Sequence, residues 1–160
     1  MNTNEKKRLL KQFGHLYDNM QNIIDEISTW REISQNISPV VSGMPHSSSG
    51  SNKIQKAAEE IERLEMMLND KIYIIASLRA SLENAIDKLK SEDYRMVTIL
   101  TLLYIGKRDA LTGNLQRIKL TDLPKEMGYS YDTLRHIHGV ALLHLDLDDF
   151  QKTMYELLQN

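Results

Sequence analysis

The chain has 160 residues, no cysteine and a formal net charge of −2, with 41% apolar and 26% charged residues. These totals exclude a disulfide scaffold and a thiolate metal centre. They also give no overall basic footprint of the kind that accompanies nucleic-acid binding, so any such site has to be sought locally. Glycine and proline are scarce, at 7 and 3 residues, and Leu, Ile, Met, Lys, Glu, Gln and Asn dominate, which predicts an all-α protein.

The opening "MNTNEKKRLLKQ" lacks the apolar core of a signal peptide, and no long apolar run follows. The expectation is a soluble, intracellular protein with no membrane contact. Residues 1–37 read as one amphipathic helix. Leu9, Leu16, Ile23, Trp30 and Ile37 step by seven, interleaved with Phe13, Met20 and Ile27, and Leu10, Tyr17 and Ile24 widen the stripe. The stretch "SPVVSGMPHSSSGSN", residues 38–52, holds two of the three prolines and many serines. Pro39 ends the first helix, because the residue before a proline avoids the α region, and the stretch reads as a flexible linker.

Residues 53–90 predict a long coiled-coil-like helix. Ile54, Ile61, Leu68, Ile75, Leu82 and Leu89 step by seven without interruption. A second row, Ala57, Leu64, Leu78 and Ala85, is broken only by Lys71. At about 1.5 Å per residue such a helix is roughly 55 Å long, more than one small domain covers. Its stripe needs the first helix, a second copy of the chain, or both. Sustained heptads favour a homo-oligomer, with a dimer as the first expectation and the Ile54-to-Leu89 row as its seam.

Residues 91–160 form the last predicted domain. Ser91, followed by acidic residues, reads as a helix N-cap. Met96, Val97, Leu100, Leu103 and Tyr104 mark the apolar side of the helix, and Gly106 its end. "GKRDALTGNLQRIK" is then a polar connector. The four cations Lys107, Arg108, Arg117 and Lys119 oppose the single carboxylate Asp109, a local charge of +3. The chain closes on "DLDDF" and an acidic amphipathic tail carrying Phe150, Met154, Leu157 and Leu158.

The informative stretch is "LTDLPKEMGYSYDTLRHIHGVALLHL", residues 120–145. Thr121 can cap a short helix that starts at Asp122, with Pro124 in its first turn, where a missing N–H is harmless. Gly128 falls where a left-handed residue ends a helix, and Ser130 can cap the next helix by accepting from the N–H near Thr133. Leu123, Met127, Tyr129, Leu134 and Ile137 are expected to face inward. These features together are the signature of a helix-turn-helix. Its second helix would bury Leu134, Ile137, Ala141, Leu142 and Leu145 and turn Tyr131, Asp132, Arg135 and His136 outward. Arg135 suits guanine or phosphate, Tyr131 suits phosphate, and Asp132 could accept from a cytosine amine or repel the backbone. Gly139, near the outer face, suggests close approach of another backbone. His136 and His138 are two apart, on different sides of a helix, and make no metal pair. No phosphate loop, catalytic triad or paired carboxylates stand out, so no enzyme, cofactor or metal is expected.

This stretch resembles the C-terminal helix-turn-helix of phage and prophage regulators of the ArpU/RinA kind, which are similar to the fourth region of sigma factors. The upstream "WREISQNISPVVSGMPHSSSGSNKIQKAAEEIERLE" resembles the same group, and "DYRMVTILTLLYI" fits the helix before the motif. The resemblance covers most of residues 28–145. It implies sequence-specific binding of double-stranded DNA and control of late phage genes in the cytoplasm of a bacterial host. Because the cations are few, a monomer is expected to bind weakly, so function would need a dimer or a second protein, such as RNA polymerase, already on the DNA. The resemblance places Ser130, Tyr131, Arg135 and His136 toward DNA and gives His138 and Ala141 structural roles. With Asp132, Thr133, Lys107, Arg108, Arg117, Lys119 and Lys125, these make up the candidate DNA-binding set. Two further readings stay open: a small terminase subunit for DNA packaging, and a helical adaptor that binds protein.

Overall fold

The computed structural model describes residues 1–36 and 49–160, and it is all-α apart from one small hairpin. The expected linker, together with Ile37, lies outside the described residues as far as residue 48. The second helix begins at Ser49, four residues earlier than the heptads alone suggest. The helices are α1 (Thr3–Asn36), α2 (Ser49–Asp87), α3 (Tyr94–Leu100), α4 (Leu123–Met127), α5 (Tyr131–His144) and α6 (Asp148–Leu158). Two compact units contain them, Leu16–Tyr73 and Met1–His15 with Ile74–Asn160.

In the unit Leu16–Tyr73, the second half of α1 packs on the first half of α2. The period-seven residues meet there: Ile23, Ile27 and Leu64 form the core, with Trp30, Ile61 and Leu68 packed around it. Arg31 and Glu65 add an ion pair of 2.7 Å, but both side chains are about half exposed. Such a pair contributes at most about 1 kcal/mol, so apolar burial dominates. The helical hairpin is therefore formed within one chain.

The two heptad rows of α2 fare differently. Ala57, Leu64, Leu78 and Ala85 are buried along the helix. In the other row, Ile54 is exposed, Ile61 and Leu68 are half-buried, and Ile75, Leu82 and Leu89 are buried at 5%, 0% and 3% exposure. This corrects the expected oligomer seam. The C-terminal half of that row is interior to the chain itself, so only Ile54, Ile61 and Leu68 retain surface for another copy.

The other unit is built around α3 and α5, which lie against each other. A short 3₁₀ turn, Lys88–Ser91, follows α2. The cap of α3 is Asp93, not Ser91. Asp93 is extended at φ −157° and ψ 116°, and its carboxylate accepts from the Arg95 N–H at 2.9 Å. Ser91 is instead the last residue of the turn. Helix α3 runs on into a π-helical turn, Thr101–Ile105, and ends at Gly106, whose N–H donates to the Thr101 carbonyl at 2.7 Å. Gly106 has φ 106°, and a Cβ there would lie 2.8 Å from the Gln116 carbonyl.

The expected polar connector is a β-hairpin. β1 (Lys107–Arg108) pairs antiparallel with β2 (Leu115–Gln116). The expected acidic tail is a packed helix, α6. Its Phe150 is fully buried and meets Phe13 of α1 edge-on at 6.0 Å, and Met154 is buried beside it in sequence by one turn.

Candidate nucleic-acid interface

Helix α4 starts at Leu123, after an Asp122 N-cap that makes no side-chain cap bond, so Thr121 does not cap it. Pro124 sits in the first turn and supplies the carbonyl that the Gly128 N–H reaches at 3.0 Å. Gly128 is left-handed at φ 74°, ψ 18°. Two residues on, Ser130 is extended and its Oγ accepts from the Thr133 N–H at 3.2 Å, starting α5. The Ser130 and Thr133 hydroxyls also lie 2.8 Å apart. Local chemistry thus places both helices: a glycine stops one and a serine caps the other.

The inward row holds. Leu134, Ala141, Leu142 and Leu145 are fully buried and Ile137 nearly so, and Leu123 of α4 is fully buried as well. Met127 is half-buried. Tyr129 is the exception among the expected core residues. It is 41% exposed, with the Arg95 guanidinium 5.7 Å above its ring. Arg95 is in turn held by the Asp93 carboxylate at 2.8 Å, and the same bonds keep the Asp93 carboxyl below its usual range.

Tyr131, Asp132, Arg135 and His136 are all exposed, as expected. Asp132, Arg135 and His136 continue with Gly139, Val140 and Leu143 along one stripe of α5. With Thr3 of α1 they line an open groove of about 560 Å³. Its first half is polar or charged and its second half apolar, with Leu143 65% exposed. A Cβ on Gly139 would meet nothing within 4 Å, so the close backbone approach expected there is not made among the described residues.

The basic connector is not one patch. Lys107 reaches the Glu126 carboxylate of α4 at 3.3 Å, both groups being exposed. Arg108 donates to the Gly113 carbonyl at 2.8 Å. Arg117 is half-buried and lies across α1 at Gly14, where a Cβ would come within 1.9 Å of its Nη1. Lys119 and Lys125 are exposed.

Two interior polar groups set the position of α5: His138, for which a structural role was expected, and Lys6, which the sequence did not single out. His138 is buried at 8% exposure, and its Nε2 lies 3.0 Å from the Tyr104 hydroxyl. Burial pushes the histidine down to about 4, with Lys7 adding to the effect, and burial pushes the Tyr104 phenol up to about 12. The imidazole is therefore neutral, and its Nε2 shares one hydrogen bond with the protonated Tyr104 hydroxyl, in the direction that the ring tautomer sets. The π-helical turn carries Tyr104, so this irregularity in α3 lies where its polar contact to α5 is made. At the other end, Lys6 is buried and its Nζ donates to the Leu142 and Leu143 carbonyls at 2.9 and 3.1 Å. These are last-turn carbonyls of α5 with no partner inside the helix, and a cation there also suits the helix dipole. His144 Nδ1 contacts the Glu92 carboxylate nearby.

Among the described residues no cluster of His, Asp and Glu is placed to hold a metal ion, and no helix is long and apolar enough to cross a membrane. No protein-family model matches the chain, and no characterised protein or solved structure is significantly similar to it.

Proposed function

We propose that the protein is a sequence-specific regulator of transcription that reads double-stranded DNA with α5, of the phage or prophage kind its C-terminal sequence resembles. The observation that carries this reading is the turn between α4 and α5. A left-handed Gly128 and a capping Ser130 present a 14-residue helix whose inner row is buried and whose outer face is free. The N-terminal half of such a helix enters the major groove. Arg135 is then the base reader, with Tyr131 and His136 beside it, and Lys119 and Lys125 serve phosphates. Ser130 and Thr133 act by capping α5, which fixes where its first turn starts.

The cations are few, so one chain binds weakly. A dimer, or RNA polymerase already on the promoter, supplies the rest. Met66 and Tyr73 support a second copy: they stand seven apart on α2 and are 67% and 66% exposed.

Selection of bound fragments from random double-stranded DNA tests the reading. One motif should be enriched, and affinity for it should fall with salt by about 0.9 log unit per log unit for each phosphate contact. Absence of any enriched motif would remove the DNA reading. The apolar half of the α5 groove, Gly139, Val140 and Leu143, favours a protein-binding adaptor as the second reading.

A further inference from the structure

Leu111 stands at the tip of the β1–β2 hairpin and is 97% exposed. Single exposed leucines are ordinary on protein surfaces. This one differs in how firmly its surroundings are organised. The Asp109 carboxylate accepts from the N–H groups of Leu111 at 2.7 Å and Thr112 at 2.9 Å. The Asp109 N–H donates to the Asn114 carbonyl at 2.8 Å, and the Gly113 N–H donates to the Asp109 carbonyl at 2.9 Å. Gly113 is left-handed at φ 71°. The Arg108 guanidinium closes the turn from outside on the Gly113 carbonyl. The turn is thus fixed by its own hydrogen bonds, and the largest side chain it holds out into water is apolar. Nothing within the hairpin gains from leucine at that position, because burial is what stabilises a leucine.

The neighbourhood of the tip fits one class of partner. The turn's one carboxylate, Asp109, faces inward on backbone N–H groups, and those bonds hold it charged and below its usual range. The exposed cations on the ribbon and just beyond it are Lys107, which also meets Glu126, Arg108, which also donates to the Gly113 carbonyl, and Lys119. At its base, Lys107 joins the ribbon to α4 through Glu126, so the hairpin flanks the helix-turn-helix. A narrow ribbon with cations along it and an aliphatic side chain at its end has the chemistry of a minor-groove wedge. Such wedges unstack one base step while flanking cations hold the phosphates, and the duplex bends.

We propose that the hairpin is a second DNA-contacting element, with Leu111 inserted between base pairs in the minor groove next to the major-groove site of α5. The proposal rests on the DNA-binding reading of α5 and adds to it a bend that α5 alone does not produce. The ribbon also accounts for Lys107 and Arg108, which lie off the helix-turn-helix itself.

The test uses the full chain, the DNA motif enriched by selection, and a donor–acceptor pair on the duplex ends to report the bend. Leu111→Ala and Leu111→Asp are compared with the unaltered chain, with helicity measured for each. The unaltered chain should shorten the end-to-end distance. Leu111→Ala should abolish that shortening and weaken binding about tenfold, because the apolar contact of the wedge and the contacts the bend permits are lost together, while the motif preferred by α5 stays the same. Leu111→Asp should weaken binding further. A duplex that is bound but equally straight, or equally bent, with and without Leu111 overturns the wedge and leaves the α5 reading standing. Loss of capture of RNA polymerase on Leu111→Ala, with bend and affinity unchanged, overturns it in favour of a protein contact at the tip. No binding by the unaltered chain overturns both readings together.

Discussion

The ammonium of Lys6 in the first turns of α1 donates to the carbonyl of Leu142, 136 positions away in the chain, and it closes the end of the helix that carries the candidate reading face. The second bond, to Leu143, completes the cap. This contact ties the start of α1 to the end of α5 inside one unit. It also explains a buried lysine, which is otherwise rare, since two carbonyls and the helix dipole offset its desolvation.

Replacing Lys6 should therefore destabilise that unit. Lys6→Met keeps the stem but leaves two carbonyls without a donor, at a cost of about 1–3 kcal/mol. For a chain of this size that is a fall in Tm of about 2–4 °C per kcal/mol. Lys7→Met, one residue along and exposed, should change little. Equal Tm values for the two variants would show that the cap contributes nothing.

The burial of His138 beside Tyr104 predicts a dependence on pH. The folded chain holds His138 at about 4, whereas an exposed histidine titrates near 6.5. Above that value the group adds no slope. As pH falls from about 6.5 toward 4, the unfolded chain takes up a proton that the folded chain refuses, so stability falls, by at most about 1.4 kcal/mol per pH unit for one proton. Urea midpoints measured between pH 7.5 and 4.5 should decline more steeply for the unaltered chain than for His138→Gln, which cannot titrate. Parallel curves would mean that His138 takes up its proton at the same pH in the folded and the unfolded chain.

Two glycines with positive φ should respond differently to alanine. Gly128 at φ 74° has open space around a Cβ, so Gly128→Ala meets only the left-handed penalty, about 1–2 kcal/mol. Gly128→Asn should be milder, and Gly128→Val should unfold the helix-turn-helix. Gly106→Ala adds a clash with the Gln116 backbone at 2.8 Å and should be worse than Gly128→Ala. Thermal melts of the four variants give the order directly, and a Gly128→Ala more harmful than Gly106→Ala contradicts it.

What the sequence made legible was local or periodic. The Gly128 turn and the Ser130 cap rest on bonds within a few residues, and the buried rows of α1, α2 and α5 rest on helical period. What it hid depends on distance or on very short elements. Nothing near Lys6 in the sequence points to Leu142. Nothing near Gly14 in the sequence points to Arg117, which lies across it. Strands of two residues, Lys107–Arg108 and Leu115–Gln116, are too short for an alternating pattern. Tyr129 looked inward by spacing, but the left-handed glycine before it redirects the chain, and the ring lies under Arg95 instead. The seam from Ile54 to Leu89 was a true periodicity. Period alone does not say whether the chain or a second copy covers it, and for Ile75, Leu82 and Leu89 the chain does.

That distinction changes the way assembly should be tested. Charges at Ile61 and Ile75 would damage the interior. Met66→Glu with Tyr73→Glu alters only exposed positions of α2. If a second copy covers them, the solution mass should drop to that of one chain while helicity is kept. A mass unchanged by the double variant places any interface elsewhere.

The most direct measurement is DNA selection repeated with Arg135→Ala. Arg135 is exposed one turn into α5, so the variant should keep its fold, which circular dichroism checks. The account predicts that the unaltered chain enriches one motif. It predicts that Arg135→Ala loses preference at one position of it, with specific binding weaker by about 1–3 kcal/mol. A folded Arg135→Ala variant that selects the same motif with the same affinity contradicts the account, because the face from Tyr131 to His136 would then not be the reader.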